Sequence, residues 1–245
     1  MKSLPAILIA LAIAGSADAD GRSVTYKVGG APYEGYYIDA GAKAPLVVLI
    51  HDWDGLTDYE IKRSNMLYRM GYTVFAADLF GAGVRPTQTE EKRRLTGELY
   101  ANRAQMRTRI AGAVEQARSM GANTGNAVVM GYCFGGAAVL EFARSGADMK
   151  GFVTFHGGLR TPEGQNYAQA KGRYLILHGT ADTSVTMDDF ANLAKELEQN
   201  KIPHEMITYG GAPHAFTVFG SERYRENADR KSWQRFSEFL TATLK

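Results

Sequence analysis

Short, uninterrupted apolar runs separated by helix-length stretches constrain this chain more than any other feature. Pro45 to Ile50 is an unbroken run of leucine, valine and isoleucine behind a proline, and Tyr72 to Ala77, Ala127 to Met130, Gly151 to Phe155 and Tyr174 to His178 repeat the pattern. A strand with one wet face alternates apolar and polar residues, whereas a run without alternation suits a strand covered on both faces. Helical spacing fills the gaps, across 61–70, 90–100, 103–120 and 136–145. Strands alternating with helices imply a parallel sheet with right-handed crossovers. Val24 to Val28 and Tyr33 to Ile38, joined by Gly29-Gly30, read as an antiparallel edge, and His204 to Tyr209 as a last strand. The expected fold is therefore α/β, with a mostly parallel central sheet of about eight strands flanked by helices on both faces.

At 245 residues and 45% hydrophobic content the chain is long enough for one well-buried domain, expected over 20–245. The first 19 residues have another pattern. Lys2 gives a positive start, Leu4 to Ala14 is apolar but too short to span a bilayer, and Ala17-Asp18-Ala19 fits a small-x-small cleavage site. A cleaved signal peptide is expected over 1–19, and with it an exported protein, periplasmic or secreted. Its removal takes Lys2 and Asp18, so the formal charge of +2 is unchanged and provides no field for nucleic acid. A single cysteine excludes an internal disulfide framework.

That cysteine lies in Gly131-Tyr132-Cys133-Phe134-Gly135, between an apolar strand pattern and a helical stretch. The spacing reads as a nucleophile elbow, a sharp strand-to-helix turn that lifts one side chain clear of a sheet, with small neighbours leaving room for the backbone. A thiol at a helix N-terminus feels the positive end of the macrodipole, which favours the thiolate. A free cysteine is also commonly a small buried hydrophobe, so two later segments matter. Gly179-Thr180-Ala181-Asp182 follows the strand ending at His178, and Gly210-Gly211-Ala212-Pro213-His214 follows the strand ending at Tyr209. Nucleophile, acid and histidine thus come in the α/β-hydrolase order, each after a strand.

Read together, His51 to Gly55, Asp78-Leu79-Phe80, Gly131 to Gly136, His178-Gly179-x-x-Asp182 and Pro213-His214-Ala215-Phe216 resemble the dienelactone hydrolase family of α/β-hydrolases. The resemblance implies a triad of Cys133, Asp182 and His214, with the backbone N–H groups of Phe134 and Trp53 as oxyanion donors. Asp52 occupies the position where the family typically carries a glutamate that can hold the resting thiol, one methylene shorter here. Where lactone-specific members carry a carboxylate-binding arginine, four residues after the histidine, this chain has Val218. Arg85, Arg93 and Arg94, interleaved with Glu90, Glu91 and Glu98, read as a solvated face.

Thr186-x-x-Asp189 has capping-box spacing, which accounts for Asp188 and Asp189 without catalysis. Trp233, Phe236, Leu240 and Leu244 form a core stripe of a terminal helix. His51, His156 and His178 fall at strand ends, but the scattered set has no metal-ligand spacing, and no metal or other cofactor is expected. His178 is expected to be a hydrogen-bonded strand-end residue and His204 to be exposed. The segment from Gly81 to Glu90 reads as an irregular connection, with a lid left open. The expected function is hydrolysis of a small-molecule ester or lactone through an acyl-cysteine, by a monomer that does not bind membranes once the leader is gone. A ligand-binding or redox-sensing protein and an acyltransferase are the alternatives.

Overall fold

The five unalternated runs become interior strands of one sheet. The computed structural model describes residues 21–244, so the expected leader over 1–19 lies outside the described residues. The strands are β1 (Arg22–Val28), β2 (Ala31–Ile38), β3 (Pro45–Ile50), β4 (Thr73–Ala77), β5 (Asn123–Tyr132), β6 (Gly151–Phe155), β7 (Arg173–Gly179) and β8 (His204–Tyr209). The helices are α1 (Asp58–Arg69), α2 (Thr89–Ala101), α3 (Arg103–Ser119), α4 (Phe134–Arg144), α5 (Met187–Gln199) and α6 (Glu226–Thr243). The sheet order is β1-β2-β4-β3-β5-β6-β7-β8. The β1–β2 and β2–β4 pairings are antiparallel and all others parallel, as the edge hairpin and the crossovers require.

Burial on both faces is visible residue by residue in β3. Leu46, Val48 and Ile50 join one core, and Val47 and Leu49 join the other. The first core is covered by Leu95 and Leu99 of α2, Ile110 of α3, Leu140 of α4 and Leu193 of α5. Leu67 of α1 with Phe236 and Leu240 of α6 covers the second. Each such side chain, fully withdrawn from water, contributes about 1.5–3 kcal/mol before entropy is counted.

Two elements begin earlier than the periodicity predicts. Helix α1 starts at Asp58 rather than Ile61, because Thr57 and Glu60 form a reciprocal capping box in which the Thr57 N–H donates to Glu60 Oε2 at 2.8 Å. Strand β5 starts at Asn123 rather than Ala127, after a register shift against Pro45 and Leu46 of β3. The expected cap of α5 forms, with Asp189 filling the role usually taken by Glu or Gln. The segment after β4 is irregular up to Thr89 and is tied to β2: Ala82 donates to the Pro32 carbonyl at 3.1 Å. Arg85 therefore departs from the solvated-face expectation. Its guanidinium donates to the carbonyls of Val84 and Glu34 at 2.9 and 3.3 Å, whereas Arg93 and Arg94 are exposed on α2.

The glycines of the elbow are fixed by close approach. A Cβ at Gly135 would lie 2.4 Å from the carbonyl oxygens of both Ile50 and His51, and one at Gly131 would lie 2.4 Å from the Gly135 carbonyl. Those oxygens belong to backbone that cannot rotate away. Gly135→Ala is expected to cost about 3 kcal/mol or more, seen as a fall in Tm of roughly 10 °C. Gly97→Ala, in α2 where an added Cβ meets nothing, is the control and should raise stability by about 0.5–1 kcal/mol. Equal melting temperatures for the two variants would contradict this account of the elbow.

Candidate active site

The elbow forms where β5 gives way to α4. Cys133 is the N-cap of α4 with φ 50° and ψ −113°, a left-handed conformation rare for a side-chain-bearing residue and paid for by the packing around it. Its amide donates to the Phe155 carbonyl of β6 at 3.1 Å, which anchors the turn to the sheet. The thiol is half-buried. Phe134, as the first residue of α4, presents one of the helix's N-terminal amides beside the sulfur.

Loops after β7 and β8 bring the other two groups to the sulfur. His214 Nε2 is 3.1 Å from Cys133 Sγ, and His214 Nδ1 is 2.7 Å from Asp182 Oδ2. The second oxygen, Asp182 Oδ1, accepts from the amides of Ser184 and Val185 at 2.8 and 2.9 Å. Burial opposes a charge on His214, but the hydrogen bonds to Asp182 and Cys133 outweigh it and push its pKa up to about 10. Burial likewise opposes a charge on Asp182, and there the His214 bond and the two amides win, holding the carboxyl below its usual range. The contacts with Asp182 and Cys133 thus favour the protonated imidazole.

Asp52 is brought to the site's edge, without a hydrogen bond to the thiol. Its Oδ1 accepts from the Asp54 amide at 2.8 Å, while the sulfur's partner is His214. Burial first, and then the Asp54 charge, raise the Asp52 carboxyl to about 6, with Lys92 and His214 pulling the other way. Trp53 packs partly buried on the core, and Lys92 Nζ sits 5.3 Å from its ring centre. His51 is fully buried behind this loop. Its Nε2 accepts from the Leu79 amide at 3.0 Å, which puts the proton on Nδ1, and Nδ1 lies 2.6 Å from the Asp52 carbonyl oxygen. Burial pulls the His51 pKa down, in keeping with a neutral ring.

A buried polar chain supports the histidine loop, and most of its members escaped the sequence reading. Thr217, three residues after His214, has its hydroxyl 2.8 Å from His156 Nε2 and 2.7 Å from the Tyr59 hydroxyl. Its carbonyl accepts from Arg63 Nη2 at 2.8 Å, and the same guanidinium nitrogen is 2.5 Å from Asp229 Oδ1. The His156 ring meets His214 edge-on at 5.4 Å, and burial keeps its pKa well below the usual imidazole value. The two remaining histidines depart from expectation. His178 is buried and stacked on Phe190 with the Val185 backbone beside it, and among the described residues neither ring nitrogen has a partner in ordinary hydrogen-bond geometry. His204 is half-buried, its Nδ1 2.7 Å from the Ile202 carbonyl.

A cleft of about 370 Å³ opens between the first turn of α4 and the Asp182 loop, lined by Tyr100, Arg103, Ala137, Leu159, Arg160 and Val185 among others. Its two accessible guanidiniums are engaged, Arg103 with Glu141 at 3.2 Å and Arg160 with Asp189 at 2.7 Å. Among the described residues no cluster of His, Cys, Asp and Glu is arranged to hold a metal ion, and no helix is long and apolar enough to cross a membrane.

A mostly parallel eight-stranded sheet with its turn-borne thiol at a strand end defines an α/β hydrolase. Within that class the assignment is narrower. Residues 34–244 match the model of the dienelactone hydrolase family, and the chain belongs to that family. A protein of Aquifex aeolicus provisionally named carboxymethylenebutenolidase is 24% identical over 237 residues, covering 92% of this chain and 100% of the relative. A Salmonella typhimurium protein with the same provisional name is 22% identical over 206 residues, 80% of this chain and 76% of its own. A crystal structure of a dienelactone hydrolase-like promiscuous phosphotriesterase from metagenomic libraries superposes with a TM-score of 0.85 at 26% identity, covering 92% of this chain and 99% of that one.

Proposed function

We propose that the protein hydrolyses small-molecule esters or lactones through a Cys133–His214–Asp182 triad and an acyl-cysteine intermediate. The observation that carries this reading is the unbroken line from Cys133 Sγ to His214 Nε2 at 3.1 Å and from His214 Nδ1 to Asp182 Oδ2 at 2.7 Å. Sulfur forms a bond to the acyl carbon, the C–O bond breaks, and the His214 imidazolium gives its proton to the departing oxygen. The resulting neutral imidazole takes a proton from water, whose oxygen attacks the thioester carbon. The C–S bond breaks, the carboxylic acid leaves, and the sulfur is restored. The amides of Phe134 and Trp53 hold the oxyanion in both steps. Asp182 keeps the ring oriented and stabilises its charge. Asp52 contributes through its field on His214.

A slow activated ester, quenched during turnover, should add one acyl mass to the peptide containing Cys133. An enzyme that turns over this ester with no adduct on that peptide would sink the mechanism. A neutral short-chain aryl ester is the expected better substrate and a carboxylated lactone the poorer one, since Val218 is apolar and Arg103 and Arg160 are already paired. On the same reading the first 19 residues are a leader and the protein works outside the cytoplasm as a monomer. N-terminal sequencing of the mature protein should begin at Asp20, and an intact Met1 would contradict export by cleavage.

The raised His214 pKa gives the pH dependence a definite sign. kcat/KM for an ester reports the free enzyme and should fall on the alkaline side only as the imidazolium loses its proton near pH 10. The same shift stabilises the fold fully below about pH 6.5, a contribution lost as pH rises through about 10. An alkaline limb centred near pH 7 would overturn the assignment of a cationic His214.

A further inference from the structure

We infer that His51 is a positioning residue for the oxyanion hole, its imidazole locking the Asp52–Trp53 peptide plane so that the Trp53 N–H faces the reacting carbonyl. This rests on the reading of Trp53 as an oxyanion donor given above. The carbonyl of Asp52 and the amide of Trp53 belong to one planar trans peptide, so they point in opposite directions. His51 Nδ1 holds that carbonyl at 2.6 Å on the buried side of the loop. The amide of the same peptide is thereby turned away from His51, to the opposite side of the loop.

The clamp cannot easily rotate. At its far nitrogen the ring accepts the Leu79 amide at 3.0 Å, and its faces meet Phe80 at 4.6 Å and Phe134 at 6.0 Å between ring centres. Phe134 is the other proposed donor, and its side chain stacks on the His51 ring. The His51 carbonyl also abuts Gly135, where no Cβ fits. A flipped peptide would aim the Asp52 carbonyl at the developing oxyanion and strand the His51 N–H in a site with no exposure to water.

Wild type, His51→Asn and His51→Phe are compared in two reactions of the same sulfur. Acyl transfer from an aryl ester builds an oxyanion, whereas alkylation by iodoacetamide does not. His51→Phe is expected to lower kcat for the ester about 100-fold with KM little changed, and to weaken binding of a trifluoromethyl ketone in parallel. The alkylation rate should stay within about twofold of wild type, and His51→Asn, which keeps a donor, should recover part of the loss. Unchanged ester turnover, or alkylation falling as far as acyl transfer, would overturn the inference. Activity surviving Cys133→Ala would instead refute the mechanism on which it rests. If neither variant folds, nitrogen-15 NMR of the wild-type ring decides: a proton on Nδ1 supports the lock, and one on Nε2 removes it.

Discussion

Cys133→Ala is expected to lower ester turnover by a factor on the order of 10⁴ to 10⁶ while shifting Tm by no more than about 2 °C. The asymmetry follows from where the sulfur sits. It is half-buried at the mouth of the elbow, so its removal opens no sealed cavity, and the backbone turn is held by the Cys133 amide on Phe155 and by glycine contacts that alanine leaves in place. The chemistry, in contrast, has no other nucleophile at the end of the His214–Asp182 line. A second readout follows from the same contact. The sulfur is one of the groups that raise the His214 pKa, so in the variant that value should drop below about 10, measurable by NMR titration of the ring. Substantial turnover by the variant, or an unmoved His214 titration, would count against the triad.

Arg63→Ala carries the largest expected loss of stability, about 3–5 kcal/mol or roughly 10–15 °C in Tm. Arg63 is 1% exposed, held by Asp229 and the Thr217 carbonyl, with Phe219 and Trp233 rings 4.2 and 4.9 Å from its guanidinium carbon. Truncation leaves the Asp229 carboxylate in a buried setting whose desolvation already raises its pKa. It also unties the carbonyl that anchors the loop three residues after His214, so kcat should fall about ten- to a hundredfold. The double replacement Arg63→Met with Asp229→Leu should recover most of the melting temperature, because no uncompensated charge remains. Recovery of stability without recovery of kcat would separate the loop-anchoring role from the general one. A single variant as stable as wild type would remove the buried pair from the account.

How far the sequence was legible depended on whether a residue's role is local. The unbroken strands announced themselves through β-branched runs such as Leu46 to Ile50, and Cys133, Asp182 and His214 each followed a strand pattern at a turn. The start of α1 was also written locally, in Thr57-x-x-Glu60, a capping-box signal that the apolar spacing alone overlooked. The first residues of β5 were not, since Asn123 and Gly125 on either side of Thr124 have weak strand preference, and the segment runs alongside β3 from Pro45. Arg63 and Thr217 gave no local signal, and for His156 only its place at a strand end could be read. The partners that tie them together across the fold lie 61 to 166 residues away, and no spacing rule reaches across a sheet. The tautomer of His51 likewise depends on an amide 28 residues downstream.

The separation between sulfur and base has a consequence in time. Cys133 and His214 are 81 residues apart, and the loop holding His214 follows β8, which closes the sheet at its far edge. Parallel crossovers of this kind form slowly because distant segments must meet before any contact rewards them. During synthesis the thiol therefore emerges well ahead of the imidazole that it meets in the finished fold. On the triad proposed above, reactivity toward esters should therefore appear only when the fold is complete.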